Sequence, residues 1–409
     1  MTRATTPQAV RRALLLRREI ALLDLRDEAR FATAHPLFAA NLAHDRIDLE
    51  AEARLPRKDV PIVLYDDGEG LVAEAAARLA ALGYADITGL EGGLSGWRAA
   101  GYELFQDVNS YSKAFGELVE ARRHTPSLVA GDVAALIEEK ADIAILDARR
   151  FEEYATMNIP GSTSVPGAEL VLRARDVAPD PDTLIIVNCA GRTRSIIGTQ
   201  SLINAGVPNR VVALRNGTIG WTLAGQALQH GADRRAAPGT ADEARAKARA
   251  VAYRAGVRHI TPDDAAVLAT DSPRTLYRFD VRSSKDYAAG HIAGFRHYPG
   301  GQLVQETDMA APVRGARLLL ADDIGVRADM TASWLSQMGW EVYVLAGGFD
   351  GALETGAPPA IPPPDPAHRY KRPYEGTDNA AAAMQAYLDW EYGLVDQLAR
   401  DATHGFFVI

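Results

Sequence analysis

One order of signals recurs three times along the chain, and nothing else in the sequence restricts the fold as much. The first signal is an apolar run ending in D-x-R: "ALLDLRDEARF", "AILDARRFEEY" and "YRFDVRSSKDY". A short stretch with a turn follows: "TAHPLFAANL", "TMNIPGSTSV" and "AGHIAGFRHY". Next comes an apolar run leading into a helical pattern: "PIVLYDDGEGLVAEAAARLAALGY", "TLIIVNCAGRTRSIIGTQSLINAG" and "RLLLADDIGVRADMTASWLSQMGW". The last is a strand with a glycine turn: "ITGLEGGLSGW", "VVALRNGTIGW" and "VYVLAGGFDGA". Self-similarity of this kind marks repeated units of structure. In this register Cys189 corresponds to Asp66, 123 residues earlier, and to Asp322, 133 residues later. Units of that size are domains, not turns of a solenoid.

Runs such as "TLIIVN" and "RLLLA" show no polar alternation. They read as strands buried on both faces, which means a parallel sheet covered by helices. The expected fold is therefore α/β, with three tandem domains, each a parallel sheet flanked by helices, and a helical tail. The expected bounds are 1–106, 125–232 and 255–356, with a Pro-rich segment and a C-terminal helix over 357–409. The first connector, "FQDVNSYSKAFGELVEARRHTPSLV", is expected to be helical in its middle. The second, "GADRRAAPGTADEARAKARAVAYRAG", reads as a surface linker or helix. The stretch "APPAIPPPDPAHRYKRPYEG" is too rich in proline for a helix or a central strand. In the last helix Met384, Tyr387, Leu388, Leu394, Val395 and Leu398 fall near one face. The apolar end "GFFVI" is expected to dock on a domain or on a second copy of the chain, through which the protein would dimerise.

The stretch "VNCAGRTRS" holds the only cysteine. Cys189 follows a buried strand and precedes a helical pattern, so it belongs to a strand-to-helix loop at the carboxyl end of a strand, where sites of such folds lie. Backbone N–H groups there have no helical partner, and the helix dipole is positive. Arg192 and Arg194 add charge, and Gly191 lets the N–H groups curl toward one point as an anion nest. Each of these influences favours a thiolate, so the expected pKa lies below the ~8.5 of a free thiol. A lone cysteine also serves as a small buried hydrophobe, and a G-R-T-R loop as a solvated turn.

Composition narrows the partners. A net charge of −9 disfavours nucleic-acid binding through a general basic field. One cysteine excludes an internal disulfide, a CxxC redox pair and a cysteine-rich zinc site. Nine histidines without H-E-x-x-H spacing give no metal site. The amino-terminal apolar runs are broken by arginine and glutamate, which suits neither a secretory signal nor a membrane span. The expected compartment is the reducing cytoplasm.

The three units resemble rhodanese-like domains, the sulfurtransferase fold. The residues that carry the likeness are Asp147 and Arg149, the G-H-I-x-G turn (intact as "GHIAG" in the third unit), the loop that opens with Cys189, and the glycine turn of Gly217 before Trp221. The resemblance implies a two-step exchange without a cofactor. Cys189 takes sulfur from a small anionic donor such as thiosulfate, holds it as a persulfide, and yields it to a thiol or cyanide. It implies substrate binding by Ala190, Gly191, Arg192, Thr193, Arg194 and Ser195, with Asp147, Arg149 and Trp221 as further candidates. Asp66 and Asp322 cannot carry sulfur, so the outer units are expected to be inactive, and their charge is expected to repel a donor anion. His291 is expected to pack in a turn. Two other readings are a sulfur carrier or scaffold without turnover, and a cysteine phosphatase. The latter needs C-x5-R, whereas Arg194 closes C-x4-R here and Ser195 stands in the next position.

Overall fold

The computed structural model describes residues 3–237, 241–270 and 274–409. Each repeat builds one parallel sheet with the same strand order. In the middle unit the order is Ser127–Leu128, Val211–Leu214, Leu184–Asn188, Ile143–Asp147 and Thr163–Ser164. The third unit repeats it with Arg258–Ile260, Glu341–Leu345, Arg317–Ala321, Leu276–Asp280 and Arg296–His297. The first has Arg3–Thr5, Ile87–Leu90, Ile62–Tyr65 and Ile20–Asp24, with Ala40–Asn41 on the last. Central strands such as Ile20–Asp24 and Arg317–Ala321 are buried along their whole length, as their unbroken apolar runs require.

The outer units are joined directly. A two-residue strand of the third, Val313–Arg314, pairs antiparallel with Ile20 and Ala21 of the first. They share one apolar cluster, the third unit keeps a second, smaller one around Leu319 and Tyr343, and the middle unit is divided between two others. The first connector contributes the helix Ser110–Arg123, and its residues Ser110–Ser112 and Ala114–Val119 are buried. Its Tyr111 hydroxyl donates to the Met338 carbonyl at 2.5 Å and accepts from Arg314 at 3.0 Å. The second connector forms the helix Ala241–Arg254. Its face of Ala244, Ala248, Val251 and Ala252 is buried, so the alanines read as surface are a packing stripe.

Residues 357–379 form no helix or strand, in keeping with their prolines. The helices Ala380–Tyr392 and Leu394–Asp401 follow. The apolar end then docks on its own chain. Phe406 meets Phe115 edge-on at 5.3 Å, and the N–H groups of Phe407 and Ile409 both donate to Gln337 at 3.0 Å. Among the described residues no helix is long and apolar enough to cross a membrane.

Candidate active site

Cys189 lies just beyond strand Leu184–Asn188, and helix Thr193–Asn204 starts four residues later. The glycine turn of the same unit buttresses this loop. Thr218 N–H donates to the Cys189 carbonyl at 2.9 Å and Ile219 N–H to that of Ala190 at 3.0 Å. Gly217 has φ +54°, and a Cβ there would stand 2.3 Å from the Cys189 carbonyl oxygen, so only glycine fits. The connector helix presses on the other side, where a side chain at Gly116 would collide with Thr193 at 2.8 Å.

The thiol is 2% exposed. Its Sγ donates to Ser195 Oγ at 3.5 Å, and the Ser195 hydroxyl donates on to the Arg192 carbonyl at 2.8 Å. Burial pushes the Cys189 pKa up, against the charge of Arg194 and hydrogen bonding from Ser195. The expected depression is thus overturned for the resting protein. The reason is that the loop is roofed, and both arginines spend their charge on carboxylates. Arg192 grips Glu117 with Nε at 2.7 Å and Nη2 at 2.8 Å, pairs with Glu120, and donates to Asn216 and Tyr392 at 3.1 and 2.8 Å. Arg194 makes a two-pronged pair with Glu153 at 2.7 and 3.0 Å. Burial alone would raise the Glu153 carboxyl, but Arg194 prevails and holds it at about 2. Arg192 therefore shapes the loop, while Arg194 remains the cation that acts on the sulfur.

The backbone of the loop is the part left open. Among the described residues the N–H groups of Ala190, Gly191, Arg192, Thr193 and Arg194 have no protein acceptor. The outer loops show what such groups do. Asp66 accepts from the N–H of Gly68 at 3.1 Å and of Leu71 at 2.6 Å, two and five residues on. Asp322 accepts from Ile324 at 3.4 Å and Arg327 at 2.8 Å, again two and five residues on, and from the Arg327 side chain at 3.0 Å. The corresponding donors beside Cys189 are Gly191 and Arg194. The aspartates do not merely repel an anion, as their charge suggests. They are the anion, supplied by the chain itself.

The D-x-R pairs lie elsewhere. Asp147 and Arg149 are buried, joined at 2.8 and 2.7 Å, with Arg149 also donating to the Met157 carbonyl at 2.6 Å. Arg26 and Arg282 repeat this clamp on Asp24 and Asp280, reaching the carbonyls of Ala34 and Gly290. A geometry shared with cysteine-less units holds the fold. Trp221 likewise donates to the Ala227 carbonyl at 2.9 Å, as Trp97 does to that of Glu103 at 3.0 Å. None of Asp147, Arg149 and Trp221 lines the cavity at Cys189, nor does Ser195, whose hydroxyl lies behind the thiol and is bonded to it and to the Arg192 carbonyl. His291 stacks on Tyr287 at 3.8 Å, and its Nδ1 lies 2.9 Å from that residue's carbonyl, a packing role.

The cavity in front of Cys189 has a volume of about 240 Å³. Residues 189–194 form its floor. Its walls come from Arg150, Glu153 and Ile219 of the middle unit and, from outside it, from Ser112 and Lys113 of the connector helix and Gln305 and Glu306 of the third unit. Its roof is the tail, with Tyr370, Arg372, Tyr374, Tyr387 and Glu391. The sequence repeat hides the connector and tail residues because those segments belong to no repeat. One signal was there: Glu391 stands one helical turn after Tyr387, a charge on the face otherwise drawn as apolar.

The family profile described as rhodanese-like domain matches three stretches of the chain, residues 6–100, 129–224 and 262–355. The crystal structure of a thiosulfate sulfurtransferase from Pseudomonas aeruginosa is similar over the full length of both chains, with 49% identity and a TM-score of 0.95. The HTH-type transcriptional regulator Rv0324 of Mycobacterium tuberculosis is 31% identical over 94 residues. That stretch is 23% of this chain and spans 41% of the regulator.

Proposed function

The chain belongs to the rhodanese-like domain family, and from that premise we propose that it is a sulfurtransferase of the thiosulfate-using type, with Cys189 as its sulfur carrier. The Cys189 sulfur attacks the outer sulfur of the donor. The donor's S–S bond breaks with its electron pair going to sulfite, and the thiol proton leaves with sulfite. The persulfide anion that remains accepts hydrogen bonds from Gly191 and Arg194. Cyanide or a thiol then takes the outer sulfur, and Cys189 is restored.

The observation that carries this reading is the pair of unoccupied N–H donors beside Cys189, matched by occupied ones beside Asp66 and Asp322. Charge-assisted hydrogen bonds to such a site are short and strong. Arg194 adds an attraction toward sulfur at the start of the helix, and exposed Arg150 and Arg372 line the entrance for an anion. We place this chemistry in the reducing cytoplasm, where a free thiol persists. The test is mass spectrometry after incubation with thiosulfate. The protein should gain one sulfur atom, removable by cyanide, and Cys189→Ser should gain none. A wild-type chain left unmodified by thiosulfate would overturn the assignment.

A further inference from the structure

Glu391 is 1% exposed and lies in the roof of the Cys189 cavity. Its Oε1 accepts from the Tyr387 hydroxyl at 3.0 Å, whereas its Oε2 has no hydrogen-bond partner among the described residues. That free oxygen faces the loop, since a Cβ built on Gly191 would stand 3.4 Å from it. A buried acceptor without a donor is costly, on the order of 1–3 kcal/mol. A bare carboxylate is also a poor neighbour for an anionic donor. Its place becomes intelligible if the second substrate brings a proton.

We propose that Glu391 is the general base that deprotonates a thiol acceptor, so that the natural acceptor is a thiol rather than cyanide. This rests on the reading of Cys189 as a persulfide carrier. In the step, the acceptor S–H bond breaks and its proton goes to Glu391 Oε2. The acceptor sulfur forms a bond to the outer sulfur of the persulfide. The bond between that sulfur and Cys189 Sγ breaks, and its electron pair stays on Sγ. The product leaves as the persulfide anion of the acceptor. The Glu391 proton then returns to Cys189, whose burial favours the neutral thiol.

The surroundings suit a base that works near neutrality. Burial pushes the Glu391 carboxyl up to about 7, Glu117 adds to the rise, and Lys113, Tyr387 and Arg192 oppose it. The groups facing it are thus Lys113 and Glu117 of the connector helix, Cys189 and Arg192 of the loop, and Tyr387 of its own helix. A base is most effective when its pKa lies near the working pH. Because the basic form is the carboxylate, discharge to a thiol should rise with pH through about 7.

The experiment uses the full chain, loaded with sulfur by thiosulfate, freed of donor, and mixed with acceptor in a single turnover. For Glu391→Gln the ratio of discharge by 2-mercaptoethanol to discharge by cyanide should fall about 100-fold. A thiol already ionised at neutral pH, such as thionitrobenzoate, should recover most of that loss. The step near pH 7 should vanish, leaving a profile that follows the thiol's own ionisation. Glu391→Asp should fall between Glu391→Gln and wild type. An unchanged ratio, or an equal deficit with thionitrobenzoate, would overturn the proposal while leaving the sulfur carrier standing. Failure of the wild type to load sulfur would instead strike the carrier itself.

Discussion

The loop at Cys189 and the loops at Asp66 and Asp322 share a place in the sheet, yet they differ in what they hold. The outer loops close on a carboxylate whose oxygens reach the N–H groups two and five residues ahead. The middle loop keeps the same groups free and sets a neutral, buried thiol in front of them. An anion-binding loop is thus a property of the fold, and activity depends on whether the chain fills the loop with its own charge. A carboxylate occupant supplied by the chain makes a closed turn. A sulfur that becomes charged only after taking a second sulfur makes a carrier.

Exchanging the occupant should have the largest effect. Cys189→Asp should lose all sulfur transfer and yet stay folded, because the new carboxylate would find the N–H groups of Gly191 and Arg194. Its stability should exceed that of Cys189→Ala by roughly 1.5–3 kcal/mol, the worth of hydrogen bonds to a charged group. Denaturant unfolding of both variants measures this, and a Cys189→Asp chain weaker than Cys189→Ala would mean the three loops are not equivalent.

The two arginines separate next. Arg192→Ala leaves Glu117 buried without its partner and should cost roughly 3–5 kcal/mol of stability. Arg194→Ala removes the cation that acts on the sulfur, and kcat/KM for thiosulfate should drop by about 10- to 100-fold, or roughly 1.5–3 kcal/mol. Steady-state kinetics beside unfolding curves shows whether the two losses fall on different quantities. If Arg192→Ala proved as stable as wild type, the division of roles would collapse.

Emptying the outer loops is expected to be milder for activity. Asp66→Ala and Asp322→Ala strand backbone donors and should each lose about 1–3 kcal/mol of stability. Turnover should stay within a few-fold of wild type. A loss of turnover rivalling that of Cys189→Ser would show that the outer loops take part in the chemistry.

The smallest effect concerns the resting thiol. Alkylation of Cys189 by iodoacetamide requires the thiolate, and burial raises the pKa, so the rate should climb only as pH passes above the ~8.5 of a free thiol. A midpoint well below that value would show that the free loop already holds charge, as the aspartate loops do.

The repeat made the fold legible, because unbroken apolar runs such as "RLLLA" leave a sheet covered on both faces as the natural outcome. It also singled out Cys189 and its loop. The partners of the loop were not legible. Arg192 and Arg194 look like free cations in "CAGRTRS", but Glu117 and Glu153, 75 and 41 residues away in sequence, claim them. Nothing local announces pairings over such separations, one of them with the connector helix. Asp147 and Arg149 were ambiguous for the opposite reason, since a buried clamp and an anion-binding pair use the same residue types. The roof was hidden because the tail has no counterpart in the repeats to be aligned with.

The roof also sets a timetable for biosynthesis. Arg192 donates to Tyr392, which lies 200 residues further along the chain. At about 5–20 residues per second, a ribosome needs roughly 10–40 s to supply it. During that interval the middle unit has emerged with its loop uncovered, and its sulfur is open to any oxidant or electrophile in the cell. The helix Ala380–Tyr392 therefore acts as a late seal, and a nascent chain is chemically more vulnerable at Cys189 than the finished protein.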